Sequence, residues 1–154
     1  MRRVLFVCMG NICRSPLAEA ALRNRAAARG VEVDAQSAAT HAWHLGEGAD
    51  PRAINAGRTR GYELSTHRAR QVVTGDFLHH EFILAMDRGN LGRLQRFAPA
   101  GSTGRIALLL EHAPETDADE IPDPYYGGAH AFERALDLID AAVERLLDEF
   151  AAPA

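Results

Sequence analysis

The stretch Val4-Leu5-Phe6-Val7-Cys8-Met9-Gly10-Asn11-Ile12-Cys13-Arg14-Ser15-Pro16 decides how the rest of the chain is read. Its first four residues are an unbroken apolar run, the pattern of a strand covered on both faces in a parallel sheet. Ser15-Pro16 has the form of a helix entry, with Ser as N-cap and Pro at the first helical position. The loop between them, Cys8 to Arg14, is long enough to curl its backbone N–H groups inward around a tetrahedral anion. The helix behind it adds the positive end of its dipole. Arg14 brings a planar fork that holds two phosphoryl oxygens. The same field stabilises a thiolate, so Cys8 is expected to be a nucleophile at neutral pH. Gly10 permits a tight turn, and Asn11 can fix the loop through side-chain bonds to backbone. Met9, Ile12 and Cys13 complete the expected substrate-binding loop. Cys-x5-Arg alone is a weak signal; its place between a buried strand and a helix start makes it specific.

Outward from this loop, Leu17–Arg29 is rich in helix formers and Gly30 ends it. Residues 31–37 alternate like a short strand, and residues 40–50 form a loop holding the only tryptophan, Trp43. Asp50-Pro51 opens a helix over 52–60, closed by Gly61, and Ser65 or Thr66 is expected to cap a short helix over 67–71. Phe82–Met86 reads as a buried strand, 87–97 as a helix before Pro99, and Arg105–Leu110 as a fourth strand. The segment 111–126 is acidic, Pro-punctuated and too long for a mere connection, which points to a working loop. Phe132, Leu136, Ile139, Val143, Leu146, Leu147 and Phe150 keep a helical period over 129–150. Alternating strands and helices predict an α/β fold: one domain over 1–154, doubly wound, with a four-stranded parallel sheet and helices on both faces. Ligands of such sheets sit at the carboxyl ends of strands, where the 8–14 loop lies.

A length of 154 residues suits one core, and 47% apolar with 25% charged residues is the balance of a globular protein. The N-terminal apolar run is too short for a signal peptide, and Asn11 and Arg14 interrupt it. The expectation is therefore a first strand, a cytoplasmic protein and no membrane attachment. A net charge of -4 offers no broad footprint for nucleic acid. The charge is uneven: residues 1–110 carry fifteen Arg against nine acids, and 111–154 carry two Arg against twelve. Two cysteines make no disulfide framework, Cys8-x4-Cys13 cannot complete a zinc site, and the seven histidines lack ligand spacing. A reactive thiol that needs no metal or cofactor is the expected use.

The segment V-C-M-G-N-I-C-R-S-P resembles the signature of the low-molecular-weight protein tyrosine phosphatase family. A-W-H-L-G at 42–46, A-M-D-R-G-N at 85–90 and D-P-Y-Y-G at 123–127 extend the resemblance over nearly the whole chain. The larger classical and dual-specificity phosphatases carry such a loop far from the N-terminus, whereas here it begins at residue 8. Cleavage of a phosphate ester by a thiolate needs a proton for the departing oxygen, and the loop holds no acid. Asp123, between Pro122 and Pro124, reads on its own as a turn; the resemblance implies that it is the general acid. It further implies that Trp43, Tyr125 and Tyr126 wall a cleft for an aryl phosphate, and that the Ser15 hydroxyl supports the thiolate. His67 is implied to brace the loop through Asn11, although a surface cap is an equally simple reading. Cys13 is either an apolar filler or, as the family implies, a trap for oxidised Cys8.

The implied activity is hydrolysis of phosphotyrosine in proteins through a phosphocysteine. Implied partners are tyrosine-phosphorylated proteins and a cognate bacterial tyrosine kinase, with the chain a monomer or weak dimer. A thioredoxin-linked arsenate reductase on the same fold needs further cysteines, and none follows Cys13. A non-catalytic phosphotyrosine-binding module would have no use for Cys8, Arg14 and Asp123 together, and a small redox protein would have none for Arg14 or Asp123.

Overall fold

The N-terminal apolar run forms β1 (Arg2–Cys8) in the computed structural model, which describes residues 1–152. The last two residues of the expected 1–154 span lie outside that description. Residues Val4 to Cys8 are buried, since β1 is central in the sheet and packed over on both faces. It runs parallel to β2 (Val33–Ala39) on one side and β3 (Phe82–Ala85) on the other, and β4 (Arg105–Leu108) follows β3. The order is β2-β1-β3-β4 with all pairings parallel, so the doubly wound sheet expected from the sequence is the one observed.

Successive side chains of a strand face opposite sides, and β1 feeds two core layers accordingly. Val4 and Phe6 pack under α1 (Arg14–Arg29), α2 (Pro51–Arg58) and α5 (Ala129–Ala151). Leu5 and Val7 pack on the other face with Phe77 of α3 (Asp76–His79) and Leu94 of α4 (Arg88–Phe97). The chain winds from β1 to β2 in one direction and later returns to β3 on the opposite side. The carboxyl end of β1 is thus the switch point where such sheets hold ligands, and residues 9–13 occupy it.

Several helix boundaries follow sequence chemistry. Gly30, at φ 68°, ends α1, and the Val31 N–H reaches back 2.9 Å to the Ala26 carbonyl. Asp50 caps α2 through the Arg52 N–H at 2.8 Å, with Pro51 in the first turn. Asp87 caps α4 through the Asn90 N–H at 2.8 Å.

Three expectations are corrected. Ser15 is not an N-cap: α1 begins at Arg14 with Cys13 in the cap position and no side-chain cap, and Pro16 is the third helical residue. The Ser15 hydroxyl is engaged by Cys8 and Asn11 instead. No helix forms over 67–71, because distant partners take its backbone groups. The Ala69 N–H donates to Glu47 O at 2.8 Å, Arg70 O accepts from the Ala39 N–H at 2.8 Å, and the Val72 N–H donates to Ala39 O at 2.9 Å. Gln71 makes an isolated parallel bridge with Ala39, so the segment runs alongside the end of β2. Finally, β4 stops at Leu108 and passes into 3-10 turns at Leu109–His112 and Pro114–Thr116, so part of the acidic segment is ordered as helix. No helix among the described residues is long and apolar enough to cross a membrane.

Candidate active site

Asn11 organises the loop from behind. It is fully buried and sits at φ 59°, in the left-handed region that Asn tolerates better than most residues. Its Oδ1 accepts from the Arg70 backbone N–H at 3.0 Å, an unambiguous donor that fixes the orientation of the amide. Nδ2 therefore donates, to Ser15 Oγ at 2.8 Å and Ser37 Oγ at 3.0 Å. Ser37 Oγ in turn donates to Glu19 Oε1 at 2.6 Å. Ser15 Oγ, already accepting from Asn11, has its single proton free for Cys8 Sγ, 2.9 Å away. The network thus supplies a hydrogen bond that suits sulfur as a thiolate. His67 Nε2 lies 2.7 Å from the Asn11 carbonyl oxygen, which requires the proton on Nε2 and tethers the loop to the 65–72 segment. A Cβ on Gly10 would meet His44 Cδ2 at 2.9 Å, so a larger residue there has to displace that ring.

Arg14 is buried, and its Nη1 is fully committed, donating to Asp87 Oδ2 and to the Ile121 carbonyl, each at 2.8 Å. Nη2 lies 3.7 Å from Asp123 Oδ2, beyond hydrogen-bond reach, so the planar Nε–Nη2 edge is left able to hold two oxygens of a tetrahedral anion. Burial works against the Arg14 charge, but the facing Cys8 sulfur and the Asp87 and Asp123 carboxylates outweigh it and raise its pKa above the ordinary value. Cys13 is held as a thiol: burial, then the negative groups Asp50, Cys8 and Asp123, push it far up.

These groups open on a cleft of ≈ 170 Å³. Its lining brings together Cys8, Met9, Gly10, Ile12, Cys13 and Arg14 of the loop with Trp43, His44, Asp123, Tyr125 and Tyr126. Asn11 and Ser15, expected among the substrate-binding set, are buried behind the loop and do not line the cleft. Trp43 is exposed and stacks on His41, with ring centroids 4.4 Å apart. Tyr125 and Tyr126 meet edge to face at 4.9 Å; Tyr126 is 96% exposed and Tyr125 only 36%, which makes Tyr125 the firmer wall. The Arg52 guanidinium sits 5.4 Å from the Tyr125 ring centroid and is anchored by Asp50 at 2.9 Å. Asp123 Oδ1 accepts from the Tyr125 N–H at 3.1 Å, which aims the other carboxylate oxygen toward Arg14. Among the described residues, no group of three or more His, Cys, Asp or Glu is placed to hold a metal ion.

Asp87, Ile121, Ser37, Glu19, Arg70, His44 and Arg52 were not singled out from sequence. Asp87 carried a readable sign, an Asp between an apolar strand and a helix, which is the position of an N-cap. Ile121 acts through its carbonyl and Arg70 through its amide, where side-chain identity gives no signal.

The profile of the family described as low molecular weight phosphotyrosine protein phosphatase matches residues 3–153. A low molecular weight protein-tyrosine-phosphatase of Streptomyces coelicolor is 44% identical over 150 residues, covering 94% of this chain and 91% of that protein. The crystal structure of YfkJ from Bacillus subtilis superposes with a TM-score of 0.89 at 39% identity, covering 97% of this chain and 94% of that one. A Drosophila arginine phosphatase superposes with a TM-score of 0.93 at 31% identity over 100% of both chains.

Proposed function

The chain belongs to the low molecular weight phosphotyrosine protein phosphatase family and is a protein-tyrosine phosphatase, and we propose that it works through a phosphocysteine at Cys8, with Arg14 as phosphate clamp and Asp123 as proton donor. The observation that carries this reading is the division of Arg14: Nη1 is held by Asp87 and Ile121, while Nε and Nη2 are left beside Cys8 and Asp123. One cation then organises the nucleophile, the anion and the acid.

In the first step the Cys8 thiolate attacks phosphorus, the S–P bond forms and the P–O bond to the aryl group breaks. Asp123 delivers its proton to the departing phenolate oxygen. Loop amides and the free edge of Arg14 stabilise the charge on the equatorial oxygens. In the second step water attacks phosphorus, the Asp123 carboxylate takes the water's proton, and the S–P bond breaks. The returning thiolate receives the Ser15 O–H bond. Neither step calls for a metal or cofactor.

Trp43 and Tyr125 would flank the aryl ring, with Tyr126 at the rim and His67 steadying the loop from the far side. Phosphoproteins are the substrates of this family. A bacterial tyrosine kinase as their source, a cytoplasmic site of action and a monomeric or weakly dimeric state are further parts of the proposal. The kinase rests on the likeness of the D-P-Y-Y-G loop to bacterial members of the family.

The test compares one peptide carrying phosphotyrosine, phosphoserine or phosphoarginine, with a chelator present. The reading expects turnover of the phosphotyrosine form, and a loss of about 10²–10⁴-fold in kcat for Asp123→Ala, the usual worth of a positioned acid. Faster release from phosphoarginine would overturn the aryl preference, and an unaffected Asp123→Ala variant would overturn the acid.

A further inference from the structure

We propose that Glu120 is a positioning residue for the proton donor, fastening the loop that carries Asp123 to the first turn of α4; the inference rests on Asp123 being that donor. Glu120 Oε2 accepts from the Arg88 backbone N–H at 2.8 Å. This is the first amide of α4, a group without an intrahelical acceptor at the positive end of the helix, where a carboxylate is favoured. The Arg88 guanidinium pairs in turn with Asp119 and, at 3.9 Å, with Glu120. The next residue, Ile121, is buried; its N–H donates to Met86 O and its carbonyl accepts from Arg14, both at 2.8 Å. Residues 119–121 are thus sewn to residues 86–88, and within that same turn Asp87 holds Arg14 at 2.8 Å.

The junction ties the phosphate clamp and the proton donor to one helix end. Pro122 and Pro124 on either side of Asp123 restrict the backbone, so a displacement at Glu120 is carried forward to the carboxylate. Asp123 itself is 44% exposed, and its hydrogen bond is to Tyr125 within its own loop. Arg88 and Asp119 are more than 60% exposed, so their ion pair holds weakly. The charge-assisted bond from the Arg88 amide to Glu120 is the stronger link.

The readout is kcat/KM for phenyl phosphate, whose leaving group needs a proton, against p-nitrophenyl phosphate, whose leaving group needs it less. Inhibition by inorganic phosphate reports the anion site separately. Glu120→Ala is expected to lose about tenfold on phenyl phosphate and less than about twofold on p-nitrophenyl phosphate, a fraction of the full acid contribution. Phosphate inhibition should not change. Glu120→Gln keeps an acceptor oxygen for the Arg88 amide and should restore most of the phenyl phosphate rate. Equal losses on both substrates, or no loss on either, would overturn the proposal. Asp123→Asn serves as the reference. If it discriminates between the substrates and Glu120→Ala does not, the positioning role is wrong. If Asp123→Asn itself does not discriminate, the donor assignment fails and removes the premise.

Discussion

Asn11→Ala is the substitution whose cost the structure specifies most fully. The fully buried side chain donates to Ser15 and Ser37 in buried surroundings and accepts from the part-buried Arg70 amide. Three hydrogen bonds at about 1 kcal/mol net each, with the Arg70 N–H left without its acceptor, amount to roughly 3–4 kcal/mol. Alanine at φ 59° adds about 1 kcal/mol or more for the left-handed backbone. The total, about 4–5 kcal/mol, is a large share of the roughly 5–15 kcal/mol that stabilises a domain of ordinary size. For a chain of this length it corresponds to a fall in Tm on the order of 10–15 °C. Urea unfolding followed by circular dichroism measures the change as a shifted midpoint at constant slope. Asn11→Gly separates the two contributions: it loses the same bonds but not the backbone penalty, and should be the more stable of the two variants. An Asn11→Ala protein within about 1 kcal/mol of wild type would refute the account of the loop, because the lost hydrogen bonds alone cost more than that. So would an Asn11→Gly variant less stable than Asn11→Ala.

Three further outcomes are expected. Burial opposes the Asp76 charge, but bonds from His80, Arg70 and the Val73 N–H hold its carboxyl well below the usual carboxylate range. Its stabilisation is therefore complete above the unfolded value of about 4 and fades as pH falls further. The stability gap between wild type and Asp76→Asn should narrow as pH falls below about 4; a gap that keeps widening below about pH 4 would contradict the assignment. Under mild peroxide, Cys8 becomes a sulfenic acid and the Cys13 sulfur displaces water to form a disulfide. Because Cys13 is held as a thiol, closure should accelerate from pH 6 to 9 when followed by mass spectrometry after alkylation; inactivation with no Cys8–Cys13 linkage would remove the trap. Arg14→Lys replaces the fork by a point charge that cannot serve Asp87, Ile121 and two phosphoryl oxygens at once. A loss of about 10²–10³-fold in kcat is expected, and retention of most activity would show that the fork is unnecessary.

The fold was legible because its signals were local and periodic. Val4–Val7 has the unbroken apolar run of a doubly covered strand, and Gly30 and Asp50-Pro51 punctuate helices where the structure has them. Sequence failed where tertiary partners outbid local preference. Ser15 has the chemistry of an N-cap, yet its hydroxyl is worth more between Asn11 and Cys8, and α1 begins without a side-chain cap. Residues 67–71 have a capped-helix look, yet their amides and carbonyls are taken by Glu47, Ala39 and Asn11, none of them near in sequence. In the site, the loop residues Cys8 and Arg14 that line the cleft were visible by type and spacing. Of those that orient them, Asn11, Ser15 and His67 were named, whereas Ile121, Arg70 and Arg88 were not, since they act through backbone atoms that every residue shares.

The central claim is a covalent phosphoryl group on Cys8 during turnover. Phosphorus-labelled aryl phosphate, a denaturing quench within a single turnover and peptide mapping test it most directly. The account predicts label on the peptide that contains Cys8, discharged as phosphate on further incubation before the quench, with neither label nor turnover in Cys8→Ser. Hydrolysis that proceeds in Cys8→Ser, or label on any other residue, would contradict it.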